Sequence, residues 1–433
     1  MSGFPDFPDA AQQSTLSAIR QSFHREPELS WTEFRTSARL CAELSELGFD
    51  VLYGKALYGE RKPSNPPEAE VTRQAYARAE AALGRNDPHL AAMAGNLTGL
   101  CATLDSGRPG PVWGFRFDID ALPIQESREP SHPPAAKGFA SDNPGVMHAC
   151  GHDGHLTIGL GLAQRLAATR EQWCGRVHLF FQPAEEVGGG GVVFADLPQL
   201  HEVERFMTLH LGIVDAYQII CDATWICAKI YDVRFRGRAS HAGNAPQDGR
   251  NALLAACQAV QGLYSLPRHS GGLSRINVGR FHSANAHNVI ADDVCFRYEV
   301  RGANNDVADY MAQQAEQVLA GAAMMNGVEY EKTTFAEFSG WPNSPELAAK
   351  AETIARDLGL PEELLQRPYL VPASEDAGYM VRQVRDQGGL ATHLILGCPV
   401  GDGHHSCAFD FDERLLPWGV EMFYRMVADG EVK

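Results

Sequence analysis

The sequence predicts an α/β protein in which a smaller domain interrupts a larger domain that has a mostly parallel sheet. Between LTGLCATLD and RFMTLHLG, strand-like apolar runs alternate with helical segments, an order typical of parallel sheets. Residues 226–337 instead follow the order β-α-β-β-α-β of ferredoxin-like domains. We therefore expect residues 1–225 and 338–433 to form one domain and residues 226–337 to form an inserted one.

The elements of the larger domain follow from local patterns. Residues 14–50 predict two helices around a turn at Pro27, and Gly48 is expected to end the second. The Pro-rich stretch GERKPSNPPEAE predicts a loop and VTRQAYARAEAALGR an exposed helix, so residues 54–96 are interpreted as a helical insertion. Strands are predicted at LTGLCATLD, VWGFRFDID, RVHLFFQPAEE and RFMTLHLG, and a helix at GHLTIGLGLAQRLAAT.

The remaining elements belong to the insert and to the C-terminal part. Within the insert, strands are predicted at AKIYDVRFRG, SRINVGRF, DVCFRYEVRG and VEYEKTTF, and helices at GRNALLAACQAVQGLY and DVADYMAQQAEQVLAGAAMMNG. After the insert, PELAAKAETIARDLGL predicts a helix, THLILG a strand and FDERLLPWGVEMFYRMVADG a closing helix.

Composition excludes several classes of partner. The 433 residues carry 37 basic and 54 acidic side chains, and a net charge of −17 disfavours nucleic acid and anionic lipid. No apolar run is long enough to span a membrane, and MSGFPDFPDAAQQSTL lacks the pattern of a secretory signal. The 10 cysteines form no CxxC pair, so we expect a cytoplasmic protein with reduced thiols.

Candidate functional residues occur in five segments, which we place at or just past the ends of predicted strands. Because ligands bind beyond the carboxyl ends of parallel strands, these segments are expected to meet in one cleft. The segments are DID (Asp118, Asp120), HACGHDGH (His148, Cys150, His152, Asp153, His155), PAEE (Glu185, Glu186), LHLG (His210) and GHHS (His404, His405).

These residue types favour metal-assisted hydrolysis. Cys150 and His152, with further imidazoles and a carboxylate, suit zinc or another first-row metal. Neighbouring residues of a strand point to opposite faces, so one of Glu185 and Glu186 can bind metal while the other serves as a base. A divalent ion lowers the pKa of a bound water to about 7, and a nearby Glu can carry its proton to a leaving amine.

Simpler interpretations exist for each residue alone. His210 could be structural, Cys150 a small buried apolar residue, and the Glu pair solvated surface. A thiol hydrolase with Cys150 as nucleophile and His152 or His155 as base is an alternative, but it leaves the Glu pair and the remote imidazoles without a role. The agreement of five separate segments favours the metal hypothesis.

The motifs resemble those of the metal-dependent aminoacylase and carboxypeptidase family over nearly the whole chain. Besides the five segments, FHREPELSWTEFRT, ASHAGNAPQDGRNAL, RINVGRF, NVIADD and ASEDAGYM carry the resemblance. The chain is most similar to the branch of hippurate hydrolases, indole-3-acetyl-amino-acid hydrolases and aminobenzoyl-glutamate hydrolases, and its helical insertion resembles the last of these. The resemblance implies a metal-binding catalytic domain and, in residues 226–337, a lid and dimerisation domain.

The resemblance also implies a role for each matching residue. Glu185 corresponds to the general base, and Asp120 to a residue that orients a ligand. Two divalent ions in each protomer are implied, with zinc or manganese favoured, and cobalt or nickel left open. The family pattern has an aromatic residue four positions after the last ligand. Phe409 stands four residues after His405, so His405 is preferred to His404 as the last ligand. The implied metal ligands are Cys150, His152, Glu186, His210 and His405.

In the insert, His241 corresponds to a residue that polarises the scissile carbonyl and, in dimers, reaches the partner's cleft. Asn288 and Arg301 correspond to groups that hold the substrate. The implied activity is hydrolysis of the amide bond of N-acyl amino acids, with aminobenzoyl-glutamate-like substrates favoured and indole-acetyl-aspartate or hippurate-type conjugates as alternatives. A homodimer is expected; a heteromer with a related subunit, or a partner-dependent or non-catalytic binding subunit, are the other possibilities.

Overall fold

A computed structural model describes residues 9–366 and 368–429 of the chain. Residues 1–8, which begin the segment interpreted as lacking a secretory signal, lie outside this part. Among the described residues, none of the helices has both the length and the apolar character that crossing a membrane requires. All ten cysteines are described, and none forms a disulfide bond.

The described chain contains helices and strands in alternating groups. The helices are α1 (Ala10–His24), α2 (Phe34–Glu46), α3 (Gly54–Tyr58), α4 (Ala69–Leu83), α5 (Pro88–Ala92), α6 (Pro133–Ala136), α7 (His152–Ala168), α8 (Gly190–Phe194), α9 (Pro198–His201), α10 (Ala252–Tyr264), α11 (Asn305–Asn326), α12 (Pro345–Asp357), α13 (Gly378–Asp386) and α14 (Leu415–Ala428). The strands are β1 (Asp50–Tyr53), β2 (Leu100–Asp105), β3 (Val112–Asp118), β4 (Arg176–Gln182), β5 (Arg205–Leu211), β6 (Gln218–Ile220), β7 (Ala223–Trp225), β8 (Cys227–Arg236), β9 (Ser274–Ser283), β10 (Asp293–Gly302), β11 (Glu329–Phe338), β12 (Leu365–Gln366), β13 (Tyr369–Val371) and β14 (Leu390–Gly397).

Two compact units result. Among the described residues, the first contains residues 9–224, 342–366, 368–369 and 376–429, and the second contains residues 225–341 and 370–375. Residues 226–337, predicted as the inserted domain, lie within the second unit. Residues 54–96, predicted as a helical insertion, lie within the first and contain α3, α4 and α5.

The first unit is built on an eight-stranded sheet in the order β1-β2-β4-β3-β5-β14-β6-β12. The four strands β4, β3, β5 and β14 are parallel, and β2 pairs with β4 in the antiparallel sense. Helix α7 connects β3 to β4 and packs on this sheet so closely that a Cβ on Gly159 would lie 2.7 Å from the Phe117 ring. The small residue at this position therefore lets α7 lie against the strand that it follows.

The second unit is an antiparallel sheet in the order β11-β8-β10-β9, with α10 and α11 packed on it. Its element order is β8-α10-β9-β10-α11-β11, which confirms the predicted β-α-β-β-α-β pattern. Alternate residues of β10, such as Val294, Phe296 and Tyr298, are buried, which is the period-two pattern of a strand with one covered face. The fold class is therefore the one that the sequence predicts.

Candidate active site

The carboxyl ends of the parallel strands bring four of the five predicted segments to one edge of the sheet. Asp118 is the last residue of β3, and Glu185 follows the end of β4 by three residues. His210 is the penultimate residue of β5, and His405 lies in the loop after β14. This is the edge at which an open parallel sheet binds its ligands.

The fifth segment, HACGHDGH, does not follow a strand, so its predicted placement was wrong. It begins a helix: Gly151 adopts a left-handed φ of 89°, and His152 is the first residue of α7. Because α7 connects β3 to β4, its N-terminus still lies at the same edge of the sheet. A left-handed residue directly before a helix is favourable only for glycine, which explains the glycine between Cys150 and His152.

Five predicted ligands come together here. Cys150 Sγ lies 3.6 Å from His210 Nε2, and a ligand atom of His152 lies within 4.8 Å of both. His405 Nε2 lies 3.4 Å from Glu186 Oε2, and these two residues form a second such group that again includes Cys150. The thiol of Cys150 is thus common to both groups, and one thiol, three imidazoles and one carboxylate suit divalent first-row ions.

Hydrogen bonds orient the imidazoles so that their Nε2 atoms face the centre. His152 Nδ1 donates to the carbonyl oxygen of Asp120 at 2.9 Å, and His210 Nδ1 donates to that of Leu211 at 2.7 Å. His152 Nε2 and Glu186 Oε1 are buried and have no hydrogen-bond partner among the described residues. Buried polar atoms without partners are costly, and a bound cation would satisfy both.

The charges around the centre also favour a cation. Burial alone would lower the pKa of His152, but the carboxylates of Asp118 and Asp120 outweigh it and raise the pKa to about 10. Burial raises the pKa of Glu186 to about 8. Burial and the neighbouring His155 hold the pKa of His210 well below its usual range, so this ring is neutral. The raised pKa of His152 shows that the surrounding carboxylates stabilise a positive charge at this point, and a divalent ion can supply that charge in place of the proton.

Asp120 connects two of these residues. Besides accepting from His152 through its carbonyl oxygen, it accepts the hydroxyl of Ser30 at 2.6 Å and the backbone N–H of Glu186 at 3.1 Å through Oδ2. It therefore fixes both the ring of His152 and the backbone of Glu186.

Glu185 and Glu186 do not point to opposite faces, as an extended strand would require. Glu185 Oε2 lies 4.0 Å from His152 Nε2, and Glu186 Oε1 lies 3.9 Å from it. The strand has already ended, because Ala184 adopts a left-handed φ of 57°. One carboxylate can therefore bind an ion while the other lies beside it as a base.

Sequence reasoning gave no structural role to His155. The N–H of Leu211 donates to His155 Nε2 at 2.9 Å, and His155 Nδ1 donates to Asp118 Oδ1 at 2.5 Å. His155 is fully buried and its ring centroid is 4.7 Å from that of His210. Both nitrogens are thus engaged in holding β3 to β5, which leaves neither free to act as the base of a thiol nucleophile.

The two histidines of GHHS have different surroundings. His404 Nε2 donates to the carbonyl oxygen of Leu211 at 3.2 Å, and its ring packs against Phe409. His405 has a left-handed φ of 61°, and its N–H donates to the carbonyl oxygen of Ala149 at 2.8 Å. This conformation directs the His405 ring toward Glu186.

A buried ionic network supports the start of α7 from behind. Asp153 accepts from Arg20 Nε at 2.7 Å and from His24 Nδ1 at 2.8 Å. Glu126 lies 2.9 Å from the other nitrogen of His24 and 2.8 Å from His132 Nε2. Burial alone would lower the pKa of His24, but its hydrogen bonds to Asp153 and Glu126 raise it above the usual 6.5.

Replacing His24 by Gln is expected to destabilise the metal-free protein by about 3 kcal/mol at about pH 6, since breaking a buried ion pair costs roughly 3–5 kcal/mol. The raised pKa means that the contribution of His24 is complete below about pH 6.5 and declines as the pH rises through the folded value. Urea unfolding of both proteins at about pH 6 and about pH 9 measures this. An equal difference at both pH values would mean that the pKa of His24 is not raised in the folded protein.

The second unit brings together two of its three predicted site residues. His241 pairs with Val289, and the N–H of Ala242 donates to the carbonyl oxygen of Asn288 at 3.0 Å. Arg301 lies at the other end of β10 from Asn288, with eight residue steps between Asp293 and Arg301, or about 27 Å of extended strand. Its guanidinium holds both carboxylate oxygens of Glu299, at 2.9 and 3.0 Å.

Comparisons with known proteins show which family and which fold this chain shares. The model of peptidase family M20/M25/M40 matches residues 114–429. The chain is 37% identical over 412 residues to one of the subunits of p-aminobenzoyl-glutamate hydrolase from Escherichia coli, covering 95% of this chain and 94% of that one. It is 38% identical over 409 residues to indole-3-acetyl-aspartic acid hydrolase of Enterobacter agglomerans, covering 94% and 93%. The crystal structure of an aminobenzoyl-glutamate utilization protein from Klebsiella pneumoniae superposes with a TM-score of 0.78 at 31% identity, covering 97% of this chain and 96% of that one.

Proposed function

This chain belongs to peptidase family M20/M25/M40 and is a metal-dependent amidohydrolase, and from that premise we propose that it hydrolyses aromatic acyl conjugates of acidic amino acids. The observation that carries the proposal is the convergence of five metal-type ligands at one sheet edge, with the carboxylate of Glu185 beside them.

The substrate class follows from what two relatives share. The name of one specifies a glutamate conjugate of an aromatic acid, and the name of the other specifies an aspartate conjugate of indole-3-acetic acid. Both substrates have an amide between an aromatic acyl group and a dicarboxylic amino acid. A glycine conjugate such as hippurate lacks the second carboxylate, and we expect it to be a poorer substrate.

The proposed metal ligands are Cys150, His152, Glu186, His210 and His405, which would hold two divalent ions. Such ions supply Lewis acidity that activates water and polarises an amide carbonyl. Zinc or manganese suits this mixed set of sulfur, nitrogen and oxygen donors.

Glu185 is proposed to take the proton of the attacking water and to deliver it to the amide nitrogen as the C–N bond breaks. Its carboxylate lies beside the proposed ligands without being needed as one of them. Asp120 would keep His152 in the tautomer that leaves Nε2 available.

His241 is suited to stabilise the developing negative charge on the carbonyl oxygen. Its Nδ1 accepts the N–H groups of Gly243 and Asn244, at 3.1 and 3.0 Å, so the proton resides on Nε2. The side chain is exposed, so this N–H can be donated to a substrate oxygen.

Asn288 and Arg301 are proposed to hold the substrate carboxylates. Within one chain they lie at opposite ends of β10, so both can contact one small substrate only if they come from two chains. This separation supports a homodimer in which His241 and Asn288 act on the partner's substrate. The Arg301 guanidinium is bonded to the Glu299 carboxylate in this structure. To bind a substrate carboxylate, it must give up that contact.

One relative is named as a subunit, which supports a second candidate: a chain whose activity requires a related partner subunit. We propose the homodimer as the active form and the cytoplasm as its location. An activity assay of the purified chain distinguishes the two forms, because a homodimeric enzyme is active without a second kind of subunit.

The test is hydrolysis by the purified chain, loaded separately with manganese, zinc, cobalt or nickel. The substrates are p-aminobenzoyl-glutamate, indole-3-acetyl-aspartate and hippurate. We expect turnover of the first two, with kcat/KM at least about tenfold above that for hippurate. Hippurate lacks the second carboxylate, so one polar group of the site would be left without its partner. Absence of turnover with every metal, reversed by adding a related subunit, would support the second candidate; hippurate as the best substrate would contradict the proposed substrate class.

A further inference from the structure

The motif FHREPELSWTEFRT contains a buried carboxylate, that of Glu33, which the proposed chemistry does not use. Glu33 is 0% exposed. Its Oε1 accepts the backbone N–H of Trp31 at 3.0 Å and that of Ala184 at 2.9 Å, and its Oε2 accepts the hydroxyl of Thr98 at 2.6 Å. One side chain thus connects the segment before α2 to the turn that carries the Glu pair.

Both backbone donors to Glu33 Oε1 have unusual conformations. Six non-glycine residues in the described part of the chain have positive φ, and two of them are Trp31 at 62° and Ala184 at 57°. A left-handed conformation is unfavourable for residues with a Cβ, so it persists where neighbouring contacts impose it. The N–H groups of both residues converge on the same carboxylate oxygen.

The conformation of Ala184 determines where Glu185 and Glu186 point. After Gln182 ends β4, the left-handed residue turns the chain, and the carbonyl oxygen of Ala184 accepts the N–H groups of Gly189 and Gly190 at 3.0 and 3.2 Å. The result is that both carboxylates lie about equally far from His152 Nε2, at 4.0 and 3.9 Å. An extended Ala184 would restore strand alternation and direct one carboxylate away.

We propose that Glu33 is a positioning residue that holds Ala184 in its left-handed conformation, so that the general base Glu185 and the ligand Glu186 face the same centre. The inference rests on the proposed roles of these two residues. Glu33 acts through the N–H of Ala184 and has no contact with the substrate in this scheme.

Glu33→Met tests this, because Met has a similar length but its thioether sulfur is only a weak hydrogen-bond acceptor. We expect kcat to fall about 10–100-fold and the affinity for Co²⁺, followed by its visible absorption, to weaken about tenfold, since residues that support ligands have effects of this size. Glu33→Gln keeps one acceptor oxygen and is expected to retain both quantities within a few-fold. If Glu33→Met does not fold, Glu33→Asp, which is too short to reach both N–H groups, replaces it.

The decisive variant is Ala184→Gly in the Glu33→Met background. Glycine adopts the left-handed conformation without a Cβ penalty, so it is expected to restore kcat and Co²⁺ affinity about tenfold. Glu28→Met is the matched control, because the Glu28 carboxylate is bonded to Arg35 and Thr36 at the start of α2, and this variant should affect melting alone.

Unchanged kcat and Co²⁺ affinity in a folded Glu33→Met protein, or no restoration by Ala184→Gly, would show that Glu33 only stabilises the fold. The Co²⁺ titration can be interpreted even if no substrate of the proposed class is hydrolysed. Failure of the proposed function and failure of this inference are therefore distinguishable.

Discussion

Glu185→Gln is expected to lower kcat by about 10²–10⁴-fold, the usual contribution of a general base, while the protein keeps its full complement of metal. The amide has nearly the shape of the carboxylate but cannot accept a proton. Glu185 is not needed among the five proposed ligands, although its Oε2 lies 4.0 Å from His152 Nε2. KM is expected to change little, because the lost interaction belongs to the transition state.

The measurements are steady-state kinetics and metal content by mass spectrometry on the same preparation. Glu171→Gln is the matched control: this exposed residue lies in the short helical turn Arg170–Gln172, before β4, whereas Glu185 follows the other end of that strand. An active Glu185→Gln protein would refute the assigned base. A variant that loses metal would instead identify Glu185 as a ligand.

Cys150→Ala is expected to remove both ions and all measurable turnover. The Cys150 sulfur belongs to the group with His152 and His210 and also to the group with Glu186 and His405, so its loss affects both. Each group would retain only two of its three donors, too few for tight binding of a divalent ion.

The same variant separates metal chemistry from a thiol nucleophile. A thiol hydrolase would lose turnover in Cys150→Ala but keep its metal content, and a chelator would not inhibit the native enzyme. In the proposed scheme, a chelator abolishes turnover and added metal restores it. Cys407→Ser is the control, since Cys407 is an exposed thiol in the loop that carries His405.

Periodicity and element order were sufficient to predict the architecture. The alternation of strands with α7 predicted the parallel strands β3 and β4, and the order from β8 to β11 predicted the second unit. Both signals can be seen in short stretches of sequence, because the spacing of apolar residues shows which face of a helix or strand is buried. The placement of Glu186 and His210 at one edge of the sheet follows from the general rule that the carboxyl ends of parallel strands meet there.

What the sequence did not predict depends on single backbone angles. The segment around Cys150 was placed at a strand end, whereas Gly151 begins a helix there. Glu185 and Glu186 were expected to diverge, and the left-handed Ala184 makes them converge. No propensity predicts a left-handed alanine, since its cause is a long-range hydrogen bond to Glu33, 151 positions earlier.

The central claim is that Cys150, His152, Glu186, His210 and His405 together bind divalent ions. Crystals grown with zinc, with an anomalous difference map recorded at the zinc edge, test it most directly. We expect two peaks, each about 2.0–2.3 Å from atoms of these side chains. Zinc bound elsewhere on the first unit, with no peak among these five residues, would contradict it.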